Sequence, residues 1–159
     1  MTNQEIFDRL KTKFDDSIIE LKSDKPIDPF IIVGPDQVDK ICLYLRDYEE
    51  FLFDSLCCLS GVDQGDGKLG TVYHLFSFVK RHKVVIKTIV PKEKAEMPSV
   101  SKIWLTANWH EREAYDLFGI IYTGHPDLRR ILLPDDWEGH PLRKDYEVAE
   151  FYHGMKVPY

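Results

Sequence analysis

Leu69-Gly70-Thr71-Val72-Tyr73-His74-Leu75-Phe76-Ser77-Phe78-Val79 alternates two sets of side chains. In a strand, successive residues point to opposite faces. One face takes Val72, His74, Phe76 and Phe78; the other takes Tyr73, Leu75 and Val79. Both faces carry apolar groups, which predicts an interior strand covered from two sides. Leu52–Val62 before it and Lys83–Val90 after it also read as strands. The glycines ahead of it, Gly65, Gly67 and Gly70, satisfy G-x-G-x-x-G. A dinucleotide site needs that motif to end a strand and open a helix, with an acid about 20 residues on. Here the motif opens a strand and Val90 holds the acid's place, so a glycine-rich hairpin loop is the reading.

Toward the N-terminus, Thr2 and Glu5 have capping-box spacing, and Ile6, Phe7, Leu10 and Phe14 follow at helical intervals. Two short strands are predicted near Ser17–Leu21 and Pro29–Val33. Gly34-Pro35 then opens a second helix, with Val38, Ile41, Cys42, Leu45 and Tyr48 as its apolar stripe. Helix, strands, helix, strands is an α+β order. The expectation is a two-layer domain over residues 1–118, its helices packed on one mixed or antiparallel sheet. After Phe118 periodicity stops. Residues 119–159 hold four prolines and four glycines, yet stay rich in aromatic and branched apolar side chains, unlike a disordered tail. They predict an extended C-terminal strap lying on its own domain, on a partner, or on both.

Composition narrows function. The 159 residues carry a formal net charge of −6. An acidic chain whose basic pairs are interleaved with acids is a poor nucleic-acid binder. The longest apolar runs, such as Phe30-Ile31-Ile32-Val33, are four residues, against about 20 for a membrane span. Met1 to Asp16 lacks the apolar core of a secretory signal. A cytosolic chain is expected, reaching a membrane only through another protein. Cys57 and Cys58, as strand neighbours, should point apart; with Cys42 and no C-x-x-C, neither a disulfide framework nor an iron–sulfur cluster is expected. His110-Glu111 starts a zinc motif that Ala114 breaks.

The densest stretch runs from Ala107 to Tyr146. Asn108 reads as a helix N-cap with Glu111 at the third helical position, and first-turn carboxylates there suit the helix dipole. Arg112 and Asp116 are spaced to pair on one helix face. Ala114, Leu117 and Phe118 are left for the core, and Gly119 is placed for a C-terminal cap. Two echoing segments follow, Gly124-His125-Pro126 with Arg129-Arg130 and Gly139-His140-Pro141 with Arg143-Lys144. They suggest two similar turns whose histidines hydrogen-bond structurally and whose basic pairs are presented for contact. Balanced charge interleaved with apolar anchors is typical of a packed interface.

Three runs carry a specific resemblance: E-R-E-x-x-D-L-F-G-I from Glu111, G-H-P-x-L-R-R-I-L from Gly124, and D-W-x-G-H-P-L-R-K-D-Y from Asp136. Together, over about 50 residues, they resemble the 30 kDa subunit family of respiratory complex I (NADH-quinone oxidoreductase), in its bacterial stand-alone form. The ending from Glu150 to Tyr159 is similar too. The resemblance implies a scaffold subunit of the peripheral arm of a proton-translocating NADH-quinone oxidoreductase, at the cytoplasmic face of the cell membrane. It implies no catalytic residue, metal or cofactor in this chain, with flavin and iron–sulfur clusters in partner subunits. The implied partners are the quinone-proximal subunit of complex I and neighbouring iron–sulfur subunits. The interface and strap candidates are Glu111, Arg112, Glu113, Asp116, His125, Arg129, Arg130, Trp137, His140, Arg143, Lys144, Asp145 and Tyr146. An equivalent scaffold in a membrane-bound hydrogenase or related oxidoreductase is the alternative. A stand-alone metalloenzyme built on His125 and His140 is a more remote one.

Overall fold

The computed structural model describes residues 1–24 and 28–157. Helix α1 (Asn3–Phe14) opens with the expected box: the Glu5 amide donates to Thr2 Oγ1 at 3.2 Å, and the Thr2 amide donates to Glu5 Oε2 at 2.8 Å. Its buried face is Ile6 and Leu10; full burial of one such side chain contributes about 1.5–3 kcal/mol. Strands β1 (Ile18–Lys22) and β2 (Phe30–Val33) follow, then a 3₁₀ turn at Pro35–Gln37 and helix α2 (Val38–Asp47). Val38, Ile41, Cys42 and Leu45 of α2 are fully buried, whereas Tyr48 just past its end is 41% exposed.

Strands β3 (Ser55–Gly65), β4 (Lys68–Ser77) and β5 (His82–Pro91) complete a five-stranded sheet of order β1-β2-β5-β4-β3. It is mixed: β2 and β5 run parallel and the other neighbours antiparallel. β4 is interior, as its two apolar faces require, but it stops at Ser77, and Phe78 and Val79 are 68% and 67% exposed in the following turn. The glycine-rich segment is the β3–β4 hairpin. Asp66 and Gly67 both have positive φ, the backbone of a two-residue turn matched to strand twist.

Leu69, Tyr73 and Leu75 of β4 and Val84, Ile86 and Val90 of β5 are buried on one sheet face. They share a single core with Ile6, Leu10, Ile41 and Leu45 of the helices, so the helices lie on that face. Strand β3 departs from simple alternation. Leu56 and Leu59 are both buried, with two residues between them, and the register slips between Leu56 and Cys58. Cys57 and Cys58 together oppose the stretch at His74, so both thiols share the outward face. The expectation that they point apart is corrected, because a bulge adds one residue to the period.

The chain then forms β6 (Glu96–Pro98), helix α3 (Ala107–Phe118) and β7 (Ile121–Thr123). β6 and β7 pair in parallel with α3 as the crossover. Ile120 and Tyr122 are buried, and Tyr122 Oη lies 2.8 Å from Thr71 Oγ1 of β4. Gly61 of β3 meets α3 closely, since a Cβ there would lie 2.6 Å from Phe118 and 3.2 Å from Ala114. A last hairpin, β8 (Phe151–Tyr152) with β9 (Met155–Lys156), ends the described chain.

Candidate functional site

Helix α3 is the element around which the strap closes. It begins at Ala107, one residue earlier than Asn108 would allow as cap, with Thr106 as its N-cap. No side chain caps it. The preceding turn does so, through Ala107 N–H to Trp104 O at 3.0 Å and Asn108 N–H to Leu105 O at 3.2 Å. Glu111 is therefore free of the expected capping role and no carboxylate lies in the first turn. It turns inward, fully buried, accepting from Val100 N–H at 2.7 Å and Ser99 Oγ at 2.6 Å. Burial pushes its carboxyl up to about 7 against the lowering effect of those two donors.

Arg112 and Asp116 are buried and do not pair with each other. Arg112 lies over the Trp109 ring at 5.0 Å and donates from Nε to Arg129 O at 3.3 Å. Asp116 reaches into the strap. Its Oδ2 accepts from the backbone N–H groups of Ile131, Leu132 and Leu133 at 3.0, 2.8 and 3.0 Å, and its Oδ1 from Arg130 at 2.7 Å. Three successive amides and a guanidinium form an anion-holding nest. Burial alone would raise the Asp116 carboxyl; the Leu133 amide, Arg130 and the other two amides outweigh it and hold it below the ordinary range. Arg130 spends its remaining donors on Asp116 O at 3.1 Å and on Trp137 O and Gly139 O, both at 3.0 Å.

The echoing turns clasp the two ends of this helix. Gly124 and Gly139 both take φ of 80°. At one end Asp127 N–H donates to His125 Nδ1 at 3.0 Å, which leaves Nε2–H to donate to Asn108 O at 3.2 Å. His125 is thus neutral, its pKa lowered by burial, and it stands 3.9 Å from Glu111. At the other end His140 Nδ1 donates to Asp116 O at 2.9 Å, and Arg143 Nε donates to Phe118 O at 2.6 Å. A cation on the last carbonyls of a helix suits its dipole.

The remaining candidates lie outside this knot. Glu113 is exposed and lines a groove together with Leu142. Arg129 is exposed and pairs with Asp127 at 2.9 Å. Trp137 packs on Tyr152, with ring centroids 5.5 Å apart, beside a cavity of about 680 Å³ lined also by Tyr146, Phe151 and Val157. Tyr146 N–H donates to Arg143 O at 3.1 Å. Lys144 N–H donates to Asp63 Oδ2 at 2.8 Å, and Asp145 pairs with Lys92. Ser99, Asp63 and Lys92 are the partners that sequence reasoning missed; Asp63 and Lys144 are 81 positions apart, and no local pattern links them.

Gly119 caps α3 with φ of 71°, and a Cβ there would come within 2.5 Å of Arg143 Nη2 and His140 Nε2. Gly119→Ala should cost about 1–2 kcal/mol from the left-handed backbone alone. A fall of several degrees in Tm is expected by calorimetry, with faster tryptic cleavage at Arg143 and Lys144.

Among the described residues no three His, Cys, Asp or Glu side chains are placed to hold one metal ion, and no helix is long and apolar enough to cross a membrane. The buried carboxylates are occupied in holding chain segments together. Fold and site define a strapped α+β domain whose buried polar side chains hydrogen-bond within the chain. Residues 31–152 match the family described as the respiratory-chain NADH dehydrogenase, 30 Kd subunit, and the chain belongs to that family. A named subunit of the NADH-quinone oxidoreductase of Chloroherpeton thalassium is 52% identical over 152 residues, covering 94% of this chain and 63% of that one. The subunit of the same name from Chlorobium phaeobacteroides is 48% identical over 155 residues, covering 96% and 93%. The chain thus spans less than two thirds of the first relative and nearly all of the second. A solved structure titled as a membrane-bound sulfane sulfur reductase, an archaeal respiratory membrane complex, has a chain 26% identical with a TM-score of 0.72, covering 91% of this chain and 85% of that one. The trypsin-resistant fragment (1-134) of Nqo5 shares the fold, with a TM-score of 0.64 at 24% identity over 80% of this chain and all of that one.

Proposed function

We propose that this chain is a scaffold subunit of the peripheral arm of a proton-translocating NADH-quinone oxidoreductase. In that role it binds no flavin or cluster and docks the quinone-proximal and neighbouring iron–sulfur subunits at the cytoplasmic face of the membrane. The observation that carries the reading is the strap. His125, Arg130, His140 and Arg143 turn inward to α3, while Leu132, Leu142, Val148, Phe151 and Met155 stand 53–67% exposed on its outside. Apolar anchors displayed on a pinned backbone suit a permanent interface, because the ordering cost of the segment is met before the partner arrives. The likeness to a chain of a sulfane sulfur reductase supports a second reading, the same scaffold in a related respiratory machine.

The test is a tagged chain in its native cell, gentle solubilisation, and a native gel with mass spectrometry. Co-migration with flavin, iron–sulfur and antiporter-like subunits, with NADH-quinone activity in the band, supports the reading. Hydrogenase or sulfur-reductase subunits in the band replace the machine and keep the scaffold. A free monomer removes both. Arg143→Glu sharpens the test, since it puts an anion on the carbonyl end of α3 and deletes the bond to Phe118. The isolated variant should lose about 1–2 kcal/mol and stay folded by circular dichroism, while its incorporation falls tenfold or more. Wild-type incorporation would remove the strap from the interface.

A further inference from the structure

The described residues cover only one face of the sheet. On the other, the register places Phe30 and Ile32 of β2, Val85 and Ile89 of β5, and Val72 and Phe76 of β4 on an apolar surface interrupted by His74, Lys83 and Lys87. Val85 is only 6% exposed and the others are half-buried, with no second layer above them among the described residues. The strap runs elsewhere: its bonds go to α3 and to Asp63 and Lys92 near the β3–β4 hairpin.

Two polar groups on this surface lack a complement. Lys87 stands on β5, the central strand. Its Nζ donates to Gln64 Oε1 at 2.8 Å and lies 5.1 Å from the centre of the Phe30 ring. Among the described residues no carboxylate lies within ion-pair distance of it, and burial lowers its pKa. His74 Nδ1 is shut off from solvent without a hydrogen-bond partner among the described residues.

We propose that the open sheet face centred on Lys87 docks a helix from a different polypeptide, apolar on the side it presents and carrying an aspartate or glutamate opposite Lys87. Size fits the occupant. Three strands about 4.8 Å apart, over about five residues each, give roughly 14 by 17 Å, the footprint of one helix about 10 Å wide. Charge selects against a second copy, because an isologous pairing centred on β5 sets Lys87 against Lys87. A carboxylate on a different chain would turn that half-buried cation, desolvated further on docking, from a cost into a pair. The face is open whichever respiratory machine the chain serves.

The test uses the full chain in its native cell, with a photo-crosslinking amino acid at Ser60, an exposed position paired with Val72. Crosslinked peptides are sequenced by mass spectrometry. The expected product is a helical segment of another chain with an Asp or Glu within one turn of the crosslinked position. Lys87→Glu should cut its yield tenfold or more while leaving the melting temperature of the purified chain close to wild type. Because any engineered strand can misfold, native Cys57, exposed on the same face, supplies a second readout. Its alkylation should be at least tenfold slower in native membranes than in the free chain, and Lys87→Glu should abolish the protection. Crosslinks only to a second copy, absence of crosslinks, or equal Cys57 labelling in both settings would overturn the proposal. A crosslink to a component of some other machine supports this face while overturning the assignment to NADH-quinone oxidoreductase.

Discussion

Replacing Asp116 with alanine is expected to destabilise the protein by about 3–5 kcal/mol and to free the strap from α3. The substitution removes one carboxylate but orphans four donors, namely the amides of Ile131, Leu132 and Leu133 and the guanidinium of Arg130. Arg130 is only 16% exposed and would be left as a poorly solvated charge, which is the costly way to break a buried pair. Arg130 also joins the strap to itself through Trp137 O and Gly139 O, so its displacement loosens the second turn as well. Trypsin is the natural probe, because Arg129, Arg130, Arg143 and Lys144 all lie in the clasped segment. The variant should be cut there at least tenfold faster than wild type, while circular dichroism retains the sheet and helices. Asp116→Asn should fall between, since an amide oxygen accepts some of the N–H groups but its NH₂ faces donors. The double variant Asp116→Ala/Arg130→Met should be less destabilised than the sum of its parts, because the residues are coupled. Wild-type resistance to trypsin in Asp116→Ala would mean that the nest does not hold the strap.

Glu111 sets the second large effect, and its sign follows from its environment. Burial raises its carboxyl to about 7 from an ordinary value of 4.5. A raised folded-state pKa contributes its stability below the unfolded value, and that contribution is lost as pH rises through the folded value. Between pH 4.5 and 7 the native state holds the proton more tightly, so wild-type stability should decline across that window by up to about 3 kcal/mol, at 1.36 kcal/mol per pH unit. Glu111→Gln carries no proton to lose. Its Oε1 can accept from Val100 N–H and its NH₂ can donate to Ser99 Oγ, so the local network survives. The expected outcome is a difference in melting temperature between the two proteins that grows in favour of Glu111→Gln from pH 5 to pH 8, reaching roughly 5–10 °C. Nearby His125 titrates in the opposite sense, its pKa lowered by burial, and is common to both proteins. A difference that stays flat with pH would mean that Glu111 is ionised throughout.

These two acids show where a linear reading stops. Spacing on a helix places Arg112 and Asp116 within reach of each other, and on an exposed helix that pair would form. In the folded chain both are buried, and a buried charge goes to the partners that satisfy it most completely. For Asp116 those are three backbone amides 15 to 17 residues away. The Asn108 cap fails for a related reason: the preceding turn had already satisfied the first amides of α3.

What the sequence by itself determined is whatever depends on near neighbours. Alternation in β4 marked an interior strand, the Thr2–Glu5 box started α1, Asp66-Gly67 made the hairpin turn, Gly119 ended α3, and the motif runs from Glu111 to Tyr146 placed the chain in its family. The tertiary structure alone decided the parallel pairing of β2 with β5, the bulge that turns Cys57 and Cys58 to one side, the inward course of Glu111, and the bond from Lys144 to Asp63. The physical reason is range. Turns, caps and strand alternation are set by sterics and hydrogen bonds within a few residues. The fate of a buried charge or an uncovered sheet face is set by which groups the finished packing brings beside it.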